Sequence, residues 1–316
     1  MLVVSLMRLG EEEERLKALF PEVEFEFYKH PSYLPDTSKA NMDVLLSYHA
    51  DIDRAFIEEA RNLKWIMWYA TGVNALPLEC LKENHIALTN AKGVHAQQLT
   101  EFLFAYLLDD YKALKETYAE QLNKIYNHKR TTPTIADQTI MFLGTGKIPQ
   151  SAARIAQQFG MTTIGLNTTG HKADGFHKTY PLKDKFKYYH QADIIVNVLP
   201  ETEKTKYLLT SEDFKQMQPH TLFINLGRAT IVREKVLVDA LKKSKIRKAY
   251  LDVFETEPLS PHSELYHLEN VVLTSHISGN GNHNKTQATE IFIQNLQHFL
   301  NKGALIENIV DLNKGY

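Results

Sequence analysis

Three consecutive apolar runs, at residues 221–225, 249–252 and 271–275, most constrain what this chain folds into. Each is short and bounded by turn residues, which predicts strands of a buried parallel sheet. A helical pattern over 234–243 separates the first two, as a parallel crossover requires. Each run leads into a functional group. Arg228 follows the turn Asn225-Leu226-Gly227, Glu257 follows the segment that Asp252 begins, and His276 follows Ser275. Open α/β sheets bind ligands beyond the carboxyl ends of their strands, so all three groups fall on the binding rim. An arginine grips a carboxylate with two prongs, a histidine passes a proton near neutral pH, and a glutamate favours the charged imidazole.

The same alternation runs through the rest of the chain. Residues 2–6, 23–28, 44–47 and 65–68 read as strands, and 11–19, 52–60 and 76–81 as helices. A long helical pattern covers 96–128, where Leu99, Phe102, Leu103, Tyr106, Leu107 and Leu114 recur near helical spacing, until Thr131-Thr132-Pro133 breaks it. Strand 139–143, helix 150–159 and strands 162–166 and 194–198 follow. An amphipathic helix over 286–301 closes the chain. The expected class is α/β, with doubly wound parallel sheets covered by helices on both faces.

The 316 residues, 43% hydrophobic and 23% charged, suffice for one large or two ordinary domains with real cores. A formal charge of −2 argues against a general nucleic-acid binder. The single cysteine, Cys80, excludes an intrachain disulfide and fits a reducing compartment. Met1 to Met7 lacks a positive leader and is followed by Glu11 to Glu14, so no export signal is read. No apolar run approaches a membrane span. The expectation is a soluble cytoplasmic protein that binds neither membrane nor nucleic acid. No histidine, cysteine and aspartate have metal-ligand spacing, so no metal is expected, and His49, His85 and His95 are assigned to structure.

Gly144-Thr145-Gly146-Lys147-Ile148-Pro149 follows an apolar strand and opens a helix. Glycines there allow a tight turn and let backbone amides approach a pyrophosphate, and the helix N-terminus favours negative charge. Pro149 replaces the third glycine, which a first helical turn tolerates because its missing N–H is unpaired anyway. About 20 residues past the second glycine, where an NAD enzyme places an acid for the ribose hydroxyls, stands Asn167. The run Asn167-Thr168-Thr169-Gly170-His171-Lys172 offers amide and hydroxyl donors and a cation, which suits the 2′-phosphate of NADP; NAD use stays open.

Arg228, Glu257 and His276, in this order and spacing, resemble the D-isomer-specific 2-hydroxyacid dehydrogenases, whose pattern is Asn-x-x-Arg-Gly, Asp-Val-x-x-x-Glu-Pro and Pro-His. The resemblance also takes in Tyr69-Ala-Thr-Gly-Val-Asn74, Asn90-Ala-Lys-Gly-Val94, the glycine loop and the ending Asn308 to Tyr316, so it runs from about residue 64 to the end. Ala229 and Ser275 depart from the usual glycine and proline, and neither removes a functional group. The resemblance implies a Rossmann nucleotide-binding domain over 96–282, inserted into a flavodoxin-like substrate domain formed by 1–95 and 283–316. It implies a nicotinamide-dependent oxidoreductase of small 2-oxo acids and D-2-hydroxy acids. Arg228 would bind the substrate carboxylate, His276 would donate the proton, and Glu257 would hold the imidazole. Thr71, Gly72 and Val73 would give the carboxylate further donors. Thr100, Gly144, Gly146, Lys147, Ile148, Asn167, Thr168, Thr169, Leu199, Pro200, Thr205, Leu226, Asp252 and His276 would line the cofactor. The loops at His49-Ala50 and Trp68-Tyr69 would shape the substrate pocket, and the chain would form a homodimer. Within the same family, formate, phosphite or 3-phosphoglycerate are alternative substrates, and a nucleotide-sensing binding protein is an alternative role.

Overall fold

The computed structural model describes residues 1–315; Tyr316, the last residue of the terminal motif, lies outside the described residues. The chain divides into two compact units. One combines Met1–Val94 with the chain from Gly281 onward, and the other is the uninterrupted stretch His95–Asn280.

In the first unit, β1 (Leu2–Ser5), α1 (Glu11–Leu19), β2 (Glu24–Phe27), α2 (Asp36–Asn41), β3 (Val44–Ser47), α3 (Arg54–Glu59), β4 (Trp65–Trp68), α4 (Leu78–Glu83) and β5 (Ala87–Asn90) follow in turn. All ladders are parallel, in the flavodoxin-like order β2-β1-β3-β4-β5. Every residue of β3 and β4 is buried, which is why these strands read as unbroken apolar runs. The pleat sends Leu45, Ile66 and Trp68 to one face, against Phe56, Ile57 and Leu81 of the helices there. It sends Val44, Leu46, Trp65 and Met67 to the other, against Leu16 of α1.

The second unit holds α5 (Ala96–Lys112), α6 (Leu114–Leu122), β6 (Thr139–Leu143), α7 (Lys147–Gln158), β7 (Thr162–Asn167), β8 (Lys178–Pro181), β9 (Ile194–Asn197), α8 (Ser211–Gln216), β10 (Leu222–Asn225), α9 (Glu234–Lys242), β11 (Lys248–Leu251) and β12 (Val271–Leu273). Its seven strands are parallel in the order β12-β11-β10-β9-β6-β7-β8. The winding reverses between β6 and β9, the switch point of a Rossmann sheet, where ligands bind. Leu143, Asn197, Asn225, Leu251 and Leu273 lie in one register row. The residues just beyond them, Gly144, Val198, Leu226, Asp252 and Thr274, therefore share one rim.

The closing helix, α10 (Asn284–Lys302), belongs to the first unit. Its Ala288, Ile291, Phe292 and Leu296 complete the apolar cluster around Trp65, with the Trp65 and Phe292 rings 5.3 Å apart. After it, Ile309 forms an antiparallel bridge with Thr89 of β5, and the Asn308 side chain donates to the carbonyls of Asn90 and Lys92.

Both sheets are parallel, as the β/α alternation predicts. The sequence reading differs in detail. Strands β5 and β8 and helices α2 and α8 carry no strong periodic signal and were not anticipated. The long helical pattern does not reach Pro133. It breaks at Ala113, which takes a left-handed conformation (φ 50°) and ends α5. Beyond that break α6 buries none of its residues. Among the described residues no helix is long and apolar enough to cross a membrane.

Candidate active site

The glycine loop joins β6 to α7. Gly144 has φ +107°, a conformation open to glycine, and its amide donates to Leu166 O at 2.8 Å. Gly146 caps α7, and a Cβ there would meet nothing within 4 Å, so the backbone is open to an incoming group. Helix α7 starts at Lys147, earlier than its apolar pattern suggests, which puts Pro149 in the first turn. The first-turn amides have no partner within the helix. Thr145 is seated against β7 because Gly165 has no side chain; a Cβ at 165 would lie 2.5 Å from Thr145 Cγ2. A loop of this shape at a helix N-terminus fits a dinucleotide pyrophosphate.

Asn167 ends β7 and is nearly fully buried. Its amide nitrogen donates to Thr145 Oγ1 (3.1 Å) and His171 O (2.9 Å). Its oxygen accepts from the amides of Thr169 (3.3 Å) and Gly170 (2.7 Å). The side chain thus folds the 167–171 turn onto the glycine loop, and its polar atoms are committed there. The groups that turn offers outward are Thr168, Thr169, His171 and Lys172, all exposed, with Thr169 Oγ1 2.9 Å from His171 Nδ1.

Two buried asparagines join the next two strand ends. Asn197 Nδ2 donates to Asn225 Oδ1 at 2.8 Å. Asn197 Oδ1 accepts from the Leu199 amide (3.2 Å), and Asn225 Oδ1 also accepts from the Gly227 amide (3.2 Å). The Leu199-Pro200 loop and the Gly227-Arg228 turn are thereby tied together. A Cβ on residue 227 would come within 2.9 Å of Asn197 Nδ2 and of Leu199 O, so this glycine is required by close approach. Ala229 begins a short 3-10 turn without a positive φ, so the freedom of the usual glycine is not needed there. Thr205 braces the loop through its hydroxyl, which donates to Pro200 O at 2.6 Å. Leu226 is buried and its amide donates to Asn197 O at 3.1 Å. Thr100, on α5, is also buried and directs its hydroxyl to Ala96 O of its own helix.

Asp252 is fully buried beyond β11 and organises the histidine turn. Its carboxylate accepts from Thr274 Oγ1 (2.5 Å) and from the amides of Ile277 (3.0 Å) and Ser278 (2.9 Å). Its carbonyl accepts from the His276 amide at 2.8 Å. The turn wraps around one residue and holds His276 at φ +54°, a left-handed value uncommon outside glycine. Tyr106 of α5 donates in turn to Thr274 Oγ1. Burial pushes the Tyr106 hydroxyl up to about 12, an effect the bond to Thr274 opposes. Neither the asparagine pair nor this Tyr106–Thr274–Asp252 chain was foreseen from sequence. Each joins polar residues distant in the chain; the strand register brings together the asparagine pair and the Asp252 and Thr274 ends, and Tyr106 reaches them from α5.

His276 Nδ1 lies 2.7 Å from Glu257 Oε2, while Glu257 Oε1 accepts from the Phe254 amide at 2.9 Å. Glutamate accepts, so Nδ1 carries the proton and Nε2 is the atom left to work on a ligand. The imidazole is 52% exposed, accessible from solvent. Arg228 forms no ion pair among the described residues; its guanidinium donates only to the neighbouring Gly227 carbonyl at 3.0 Å. An unpaired arginine on the rim with an oriented imidazole is equipped to bind an anionic carbonyl compound and move a proton to or from it.

In the first unit, Thr71, Gly72 and Val73 follow β4. Asn90 Nδ2 holds the Thr71 carbonyl (2.8 Å) and Trp68 Nε1 the Gly72 carbonyl (2.9 Å). The amides of these three residues have no protein acceptor among the described residues.

Comparison with known proteins identifies the family. Residues 104–278, more than half of the chain, match the model of the D-isomer specific 2-hydroxyacid dehydrogenase, NAD binding domain. A glyoxylate reductase of Thermococcus litoralis is 28% identical, over 95% of this chain and 94% of that protein. A glyoxylate reductase of Korarchaeum cryptofilum is 29% identical, over 85% of this chain and 82% of that protein. The crystal structure of a D-isomer specific 2-hydroxyacid dehydrogenase family protein from Aeromonas salmonicida superposes with a TM-score of 0.88 at 27% identity, covering 98% of both chains. The chain belongs to the D-isomer specific 2-hydroxyacid dehydrogenase family.

Proposed function

We propose that the protein reduces a small 2-oxo acid to the D-2-hydroxy acid, with NADPH as the preferred cofactor. The observation that carries this reading is the Glu257–His276 pair, with Nε2 left available, on the same rim as an unpaired Arg228. The glycine loop, the Leu199-Pro200 loop, Leu226 and Asp252 would hold the dinucleotide, which supplies the hydride when bound. Arg228 binds the substrate carboxylate. His276 Nε2 gives its proton to the substrate carbonyl oxygen, and Glu257 keeps the ring oriented. In the reverse direction neutral His276 accepts that proton. Glyoxylate is the first substrate to try, because curated relatives that align along most of the chain are glyoxylate reductases.

The preference for NADPH rests on the 167–172 turn. It presents hydroxyls, an imidazole and a lysine, and no carboxylate to repel a 2′-phosphate. Thr168, Thr169, His171 and Lys172 make the contacts, and Asn167 shapes the turn that displays them. NADH remains usable because the same hydroxyls can bond to a ribose. We further propose a homodimer through α6 and the segment after it, where Leu122 is 84% and Tyr126 90% exposed.

A panel of 2-oxo acids with NADPH and NADH, followed by absorbance loss, tests the function. Arg228→Ala and His276→Ala should each lower kcat/KM by about a hundredfold or more, with nucleotide affinity nearly unchanged. Nucleotide binding without turnover of any 2-oxo acid would overturn the enzyme reading in favour of a nucleotide-sensing protein.

A further inference from the structure

The fold brings together three side chains that no sequence spacing relates. His30 caps the turn after β2, and His49 and Asp51 lie in the loop after β3, all in the first unit. Both loops leave the carboxyl end of the parallel sheet. One ligand-type atom from each residue lies within 4.8 Å of those of the other two. His30 Nε2 is 3.2 Å from Asp51 Oδ2, and the two imidazoles meet edge to face with ring centroids 4.8 Å apart.

A second observation singles out His49. Its Nε2 is the one buried side-chain nitrogen or oxygen, among the described residues, with no hydrogen-bond partner. The ring is not loosely placed, since Tyr48 stacks on it at 4.4 Å and the His49 amide donates to Ser47 Oγ at 3.1 Å. A buried polar atom left unpaired in a well-packed place calls for a partner from outside the chain, a water or an ion.

We propose that His30, His49 and Asp51 bind a divalent cation of the zinc class. Two imidazole nitrogens and one carboxylate oxygen suit Zn²⁺ and its neighbours, whereas Mg²⁺ and Ca²⁺ favour all-oxygen sets. Three protein ligands leave a fourth tetrahedral position for water. Tetrahedral ligands at zinc distances stand roughly 3.3 Å apart, so the site must close slightly on binding. The side chains that would move are the exposed ones, His30 (43%) and Asp51 (61%), while His49 stays fixed. His30 Nδ1 accepts from the Ser32 amide at 3.2 Å and lies 3.1 Å from Ser32 Oγ. With a cation on Nε2, Nδ1 carries the proton and donates it to that hydroxyl, exchanging one local bond for the outer-sphere bond that ligating histidines make. This departs from the expectation of no metal, which rested on spacing along the chain. The cation would fasten the loop after β2 to the loop after β3 and stabilise the unit by mass action.

The test uses the full-length, tag-free chain stripped with chelator and titrated with Zn²⁺ by calorimetry, with Co²⁺ as an absorption probe of tetrahedral coordination. One equivalent should bind at micromolar Zn²⁺ and raise the unfolding temperature, and excess Mg²⁺ should not displace it. His49→Ala and Asp51→Asn should each weaken binding about tenfold or more, while the control His262→Ala should not. If His49→Ala fails to fold, His30→Gln and Asp51→Asn, both at exposed positions, decide. Absence of binding at micromolar Zn²⁺, or binding of equal strength in these variants, overturns the proposal.

Discussion

Thr274→Val tests whether the histidine turn is held from behind. The substitution nearly keeps the shape of the side chain and removes one oxygen. That oxygen donates to Asp252, fully buried, and accepts from Tyr106, 6% exposed. A hydrogen bond to a charged group contributes roughly 1.5–3 kcal/mol, and leaving the Tyr106 hydroxyl buried without its acceptor costs about 1–3 kcal/mol more. The sum, about 2.5–6 kcal/mol, should lower the Tm by roughly 5–24 °C for a domain of this size. The effect on chemistry should be distinct. Asp252 keeps its bonds to the Ile277 and Ser278 amides, so the turn persists with more freedom. A loosened His276 should reduce kcat by roughly tenfold to a hundredfold, with KM for the 2-oxo acid nearly unchanged because Arg228 is untouched. Thr274→Ser restores the hydroxyl and should recover most of both quantities. Scanning calorimetry and steady-state kinetics on the three proteins decide it. If Thr274→Val unfolds within about 2 °C of the parent and turns over at the parental rate, the chain from Tyr106 to His276 does not position the imidazole.

Other consequences can be checked directly. Asn167→Asp keeps the acceptors for the Thr169 and Gly170 amides but loses the donors to Thr145 and His171 O, so it should destabilise the protein by about 1–3 kcal/mol. It should also lower kcat/KM for NADPH about tenfold or more relative to NADH; an unchanged ratio would refute the reading of the turn. The Tyr106 hydroxyl is raised in the folded protein from its ordinary value near 10 to about 12, so its contribution to stability is fully present below pH 10 and is lost as pH rises through 12. Tm measured between those limits should therefore fall less steeply in Tyr106→Phe than in the parent, and parallel curves would exclude the effect. Leu122→Glu with Tyr126→Asp should convert a dimer to a monomer by light scattering, and a monomeric parent would remove the dimer proposal.

The placement of the candidate residues was legible because each follows an apolar run, and strand ends in a parallel sheet share a rim. Arg228, Glu257 and His276 needed only that rule and their order. Asn167 was legible as a missing acid, yet its actual bonds were not, because an asparagine can face a ligand or fold its own turn. The end of α5 was missed because alanine carries no sign of a left-handed conformation, and the pattern of leucines continues past Ala113. The His30, His49 and Asp51 group was invisible for a geometric reason. β1 lies between β2 and β3 in the sheet, so the two loops meet in space across a strand that comes earlier in the chain.

The Asn197–Asn225 pair has a consequence for how the protein responds to its surroundings. Both groups are amides, neither of which titrates or attracts counterions. The fastening between the Leu199-Pro200 loop and the Arg228 turn is therefore indifferent to salt and to acidity across the range in which histidine and carboxylates change charge. Ionic strength should weaken the grip of Arg228 on an anion without shifting where Arg228 starts from. Variation with buffer conditions would then report on the charges that meet the substrate, while the frame behind them stays the same.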